Sequence, residues 1–334
     1  MRQQQFRNKV SESSMTLPFM VIVTLLSCFL QHAFDSFYLW ITLVETGILV
    51  YVLMEWNSQC QLLRVRSRMI SSTVLAFVAA FPALQVSTWC WLPALFLVLS
   101  YFIAFKGYGQ LKPQGWVFYA FLFVSAGSLM FPPLLLSVPF MWFAFGHQLR
   151  ILSGKSITAS LLGLLFPYWT YGLFCLVSGW NASFWRESWA RVLDLRLPDY
   201  SEVLPWQWML FVMLLVLGAI GIVHFIRTSY NDKIRTRQFF YTLLALHFPL
   251  LFSVVWFPDC ASLTLPLLTV NSAPFIAHFF VLARGRSLNF WFLFVLFVLV
   301  AVACFNAFGD YIPDMRPLQT TVVQWVHRCI PAWF

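Results

Sequence analysis

The chain has 334 residues, of which 60% are hydrophobic, 19% aromatic and 10% charged, with a mean hydropathy of +0.77. Soluble domains carry about 25% charged residues, so a water-facing surface of ordinary polarity is excluded and lipid has to serve as the solvent. A net charge of +9 would suit nucleic acid in a soluble chain. Here the cations sit in short clusters between apolar runs, the pattern that sets membrane topology, and no nucleic-acid partner is expected.

A spanning helix needs about 20 apolar residues. In chain order such runs cover 15–31, 37–55, 69–86, 88–105, 116–131, 134–146, 157–179, 206–227, 238–257, 261–283 and 288–308. The expected fold is an all-α, polytopic transmembrane bundle of about eleven spans, a single integral membrane domain over 1–334. The first run follows a basic start and ends in the lipobox-like "LLSC" at Cys28, but its apolar stretch continues to Leu30, and an uncleaved helix is the expectation. Pro132 and Pro133 break the stretch 116–146 into two short spans or a re-entrant pair. Either way the other helices keep their orientation.

The loops give the orientation. With the N-terminus in the cytoplasm, inside segments hold 16 of the 21 Lys and Arg residues, among them Arg7 and Lys9, Arg64, Arg66 and Arg68, Lys106 and Lys112, Arg150, and Lys233 and Arg235. Only Arg186, Arg191, Arg196, Arg316 and Arg328 fall outside. That alternation follows the positive-inside rule and leaves the C-terminus outside. Membrane lipids are the first expected partner.

The long outer loop 180–205 carries Phe184, Trp185, Trp189, Val192 and Leu193 at helical spacing, with Glu187, Arg191 and Asp194 off that face. It reads as an amphipathic helix in the outer headgroup layer, or as padding for the bundle. The tail 309–334, with Trp325, Trp333 and Phe334, reads as a second interfacial segment. Asn181-Ala182-Ser183 matches a glycosylation acceptor, which matters only in a eukaryotic host.

Chemistry is sparse. "SGKS" at 153–156 lacks the earlier glycine of a phosphate-binding loop, because Leu149 stands in its place, so nucleotide binding is rejected. Seven scattered cysteines offer neither a metal site nor a disulfide framework, and no cofactor is expected. Polar groups inside lipid are costly and therefore informative. In the second run Asp35, Tyr38, Thr42 and Glu45 follow one another at steps of 3, 4 and 3, which sets them on one helical face. They are expected to line a polar groove reached from outside, with Asp35 and Glu45 as the catalytic carboxylates. The alternative is a neutral Glu45 bonded to a neighbouring helix. In the tenth run Thr264, Asn271 and His278 are seven apart, and Pro266 and Pro274 punctuate the same helix. That stripe lines a cavity or makes helix-to-helix hydrogen bonds. His247, beside Pro249, reads as satisfying helix ends. Ala159-x-x-x-Gly163 and the "SAGS" run at 125–128 permit close helix packing.

The segment 123–174 has small residues before Pro132-Pro133, Arg150 after the next run, and then "LLGLLFPYW". In these parts it resembles an uncharacterised multi-pass inner-membrane family of Bacteroidetes bacteria. The resemblance covers about a third of the chain and implies a bacterial cytoplasmic membrane, but it carries no activity over to any residue. Three functions stay open. One is an envelope-biogenesis protein acting on a lipid-linked or amphipathic substrate at the outer face, glycosyltransferase-like in its most concrete form. The others are a transporter or flippase with a cavity at Asn271 and His278, and a non-catalytic scaffold. Whether the chain is an enzyme is left undecided.

Overall fold

The computed structural model describes residues 6–31, 37–81, 84–85, 89–178, 189, 198, 200, 203–283 and 287–308. The expected amphipathic helix at 180–205, the tail 309–334, and Asp35 lie wholly or mostly outside these residues, as does the side chain of Tyr38.

Every described element is helical. A short α1 (Phe6–Glu12) precedes α2 (Thr16–Gln31), α3 (Phe37–Cys60), α4 (Met69–Ala80) and α5 (Leu92–Lys106). Next come α6 (Gln114–Met130), α7 (Ser137–His147), α8 (Gly154–Ser178), α9 (Pro205–Thr228), α10 (Ile234–Trp256), α11 (Ala261–Leu282) and α12 (Ser287–Phe308). Each of the eleven apolar runs thus contains a helix. Six of the helices, α3 and α8 to α12, are long and apolar enough to cross a membrane. The chain is an apolar helix bundle of the membrane-protein type.

The departures from expectation are in helix length. The run 69–86 yields a helix only to Ala80, and the next helix starts at Leu92 rather than at 88. At 1.5 Å per residue, α4 and α5 are about 18 and 22 Å long, short of a hydrocarbon layer of about 30 Å. Their connection is drawn into the bundle: Phe81, Leu84, Gln85, Cys90 and Trp91 are all buried. Buried backbone has to find partners. Gln85 Nε2 donates to Val78 O at 2.6 Å, and Trp91 Nε1 to Leu84 O at 2.9 Å.

The two prolines at 132–133 open a 3₁₀ turn, Pro132–Leu136, and α7 folds back along α6, with Phe121 against Phe145 at 5.5 Å and Trp142 at 6.2 Å. The two helices have unequal lengths, about 25 Å for α6 and about 16 Å for α7, and α7 packs chiefly on α10.

α11 is the hub. It packs on α4, α5, α9 and α10, and 83% of its apolar window is buried, against 17% for the peripheral α8 and α12. Between helices in lipid, close van der Waals contact and hydrogen bonds replace the hydrophobic drive, and small residues provide the approach. Both small-residue motifs lie on the α6–α8 interface: a Cβ on Gly163 would run into Phe118 O, and Ser125 Oγ donates to Leu164 O at 2.5 Å. On the other side of the hub, a Cβ on Gly221 would stand 2.6 Å from Phe275 O.

Candidate functional site

Three polar constellations are buried in this apolar bundle. The first is Glu45. Trp40, Val44, Ile48 and Tyr51 form the exposed face of α3, whereas Thr42, Glu45, Leu49, Leu53 and Trp56 are turned inward. Glu45 therefore points into the bundle, 6% exposed. Its Oε2 accepts from the backbone N–H of Trp91 at 3.4 Å. Trp91 is the N-cap of α5, which has a proline in its first turn, and the first N–H groups of a helix lack intrahelical partners and carry partial positive charge. The carboxyl of α3 thus meets the recessed N-terminus of α5. Its Oε1 is buried without a hydrogen bond among the described residues.

The second lies on the hub. Asn271 accepts from Tyr101 Oη at 3.0 Å and donates through Nδ2 to Leu243 O at 3.3 Å and His247 Nδ1 at 3.0 Å. One amide ties α11 to α5 and α10. Thr264 turns its hydroxyl to Cys260 O and Ala261 O on its own chain segment. His247 bonds across to Asn271 rather than to a helix end freed by Pro249. Thr264, Asn271 and His278 share a face as expected, but each is buried among different partners.

The third gathers residues that the sequence reading never joined. Asp232, between α9 and α10, is buried; its Oδ1 lies 2.5 Å from Arg64 Nε, and its Oδ2 accepts from His278 Nε2 at 3.2 Å. His224 stands 5.3 Å from His278, centroid to centroid, and Phe225 and Phe240 meet the same imidazole edge-on at 5.5 and 5.2 Å. No run or spacing linked these residues, because Asp232 is 168 positions from Arg64 and 46 from His278.

Arg64 opens onto a polar cleft of 790 Å³ at the end of the bundle where the α3–α4 and α9–α10 connections meet. Arg66, Arg68 and Lys233 line it too, with Glu55 as the carboxylate among the lining residues. Lys106 and Arg235 belong to this end, since both lie within electrostatic reach of Cys60 at the foot of α3. A second cleft, of 450 Å³, is almost wholly apolar. Residues of α2, α4, α11 and α12, among them Phe19, Ala76, Phe280 and Leu299, line it, and Lys9 stands at its rim. Met15 and Phe19 are exposed at its edge, so it opens on the side of the bundle. Both clefts border the start of α4, through Arg68 and Ser71 in one and Met69 and Ser72 in the other. Neither includes Glu45, Thr42, Asn271 or His278 among its lining residues.

Among the described residues no group of three or more His, Cys, Asp or Glu side chains is arranged to hold a metal. Compared with family models, curated proteins and solved structures, the chain finds no match, so a functional reading has to rest on this geometry.

Proposed function

We propose that the chain is a multi-pass protein of the cell inner membrane that acts in envelope biogenesis on a lipid-linked or amphipathic substrate. The observation that carries this reading is the apolar, side-open groove between α2, α4, α11 and α12, with Lys9 at its rim. A groove of this kind takes an acyl or polyprenyl chain from the bilayer while a cation meets the polar head. In this reading the bundle has eleven spans, with the N-terminus inside and the C-terminus outside. Support comes from the grouping of Arg64, Lys106, Lys233 and Arg235 at one end.

The narrower form is a glycosyltransferase-like reaction at the outer face, with Asp35 and Glu45 as its catalytic carboxylates and Tyr38 and Thr42 as groove residues. The inward Glu45 and its Oε1, unpartnered among the described residues, favour it. The bonds of Asn271 and His278 favour a structural role for that stripe over a transport cavity.

The experiment fills the groove. Full-length protein is purified in mild detergent and its retained amphiphiles are extracted and identified by mass spectrometry, alongside Ala76→Trp. The wild type is expected to retain one amphiphile above its share of the membrane, and Ala76→Trp to lose it while remaining folded. A wild type that carries only bulk lipid, or an Ala76→Trp protein that retains the same amphiphile, contradicts the reading.

A further inference from the structure

The α3–α4 connection carries Arg64, Arg66 and Arg68 in alternation. Basic loops at a membrane face need no more than charge to set topology, and they need no fixed shape. This one is fixed. Leu62 and Leu63 are buried anchors. Asn57 Nδ2 donates to Ser67 O at 2.8 Å and draws the loop back onto α3. Gln61 holds a left-handed backbone with φ 52°, its carbonyl accepting from Thr236 Oγ1 at 3.3 Å. Arg64 is anchored by the buried Asp232, and Arg68 Nη1 donates to Ser14 O at 3.3 Å.

Between these anchors Arg66 is exposed and has no carboxylate partner among the described residues. Lys233 faces the same cleft, its Nζ 3.5 Å from Gln61 Oε1. Asn57, Ser58, Ser71 and Asn231 add neutral polar groups, and Glu55, the carboxylate of the lining, is engaged by Gln59 Nε2. Arginine and lysine converging with amide and hydroxyl donors match a phosphoryl group, whose oxygens accept charge-assisted hydrogen bonds. A volume of 790 Å³ leaves room for the group to which the phosphate is esterified.

We propose that this cleft binds a phosphate-bearing group, through Arg66 and Lys233, with Arg64 held in position by Asp232. The phosphate comes either from a lipid headgroup in the adjoining leaflet or from a soluble phosphate ester. The inference is independent of the apolar groove: either site stands if the other fails.

The test uses the full chain with two probes. Protein in phosphate-free detergent is titrated with inorganic pyrophosphate by calorimetry. Protein in phosphatidylcholine nanodiscs, with or without phosphatidic acid, is released for native mass spectrometry and its retained lipid counted. Wild type is expected to bind pyrophosphate or to retain phosphatidic acid over phosphatidylcholine, and the responding probe names the source. Arg66→Gln with Lys233→Gln is expected to bind that probe about tenfold more weakly or worse, and Arg66→Lys to lose less, because a point charge remains. Both positions are exposed and outside the ion pair, so melting temperatures should stay near wild type. Ala76→Trp is expected to bind as wild type does, which separates this site from the groove. A wild type that prefers neither probe, or a double variant that binds as tightly as wild type, overturns the proposal.

Discussion

Glu45 and Asp232 are both carboxyl groups buried in an apolar bundle, and they are served very differently. Asp232 faces Arg64 with one oxygen, an ion pair without hydrogen-bond geometry, and accepts from His278 with the other. Glu45 has one long hydrogen bond to the Trp91 N–H and an oxygen with none among the described residues. A buried polar group without partners costs free energy that the fold has to offset elsewhere. The pair at Asp232 is therefore what a structural brace requires, joining the α3–α4 connection, the α9–α10 turn and the hub. Glu45, with one described partner, braces only α3 against the start of α5.

Breaking the brace should have the largest effect. Asp232→Ala leaves Arg64 and His278 facing a gap, and a loss of about 2–4 kcal/mol is expected; this is below the full range for a buried pair because Arg64 is a third exposed. Denaturant titration in detergent micelles reads it, and a loss below about 0.5 kcal/mol, the size of an ordinary surface substitution, would remove the brace from the account.

The smaller effect is expected at Glu45. Glu45→Gln keeps the shape and can still accept from Trp91, so stability should change by less than about 1 kcal/mol. Activity in cells lacking the native copy should nonetheless be lost, at normal expression. A variant that is fully active makes Glu45 a cap for α5 and nothing more, and the contrast with Asp232 becomes one of degree.

What could be read from the sequence follows from what each signal reports. Hydropathy reports whether a stretch is apolar, and it located a helix in all eleven runs. Helical spacing reports which side chains share a face, and it turned Glu45 and Thr42 inward together. The small residues of α6 and α8 also signalled their packing, because only small residues permit that approach. Partners across the bundle leave no such trace. Asp232 sits in a basic connection and reads there as one acidic residue among cations, until the fold brings His278 against it. The buried link between α4 and α5 was passed over for a different reason: hydropathy weighs Phe81 and Trp91 as parts of continuing runs and gives no weight to Pro82 and Pro93, which mark the end of α4 and the start of α5. The end of α5 that Glu45 meets was thus passed over with it.

The comparison of the two carboxylates assumes that they lie toward opposite faces of a membrane, with the clefts on the cytoplasmic side. Cysteine accessibility tests this most directly. In a background with the seven native cysteines replaced, Leu111→Cys reports the α5–α6 connection, where Leu111 is 99% exposed, and Asn181→Cys reports the loop that the charge pattern assigns to the other side. In intact cells a membrane-impermeant maleimide is expected to label Asn181→Cys and to spare Leu111→Cys until the membrane is permeabilised. Efficient labelling of Leu111→Cys in intact cells would contradict the orientation and the functional reading built on it.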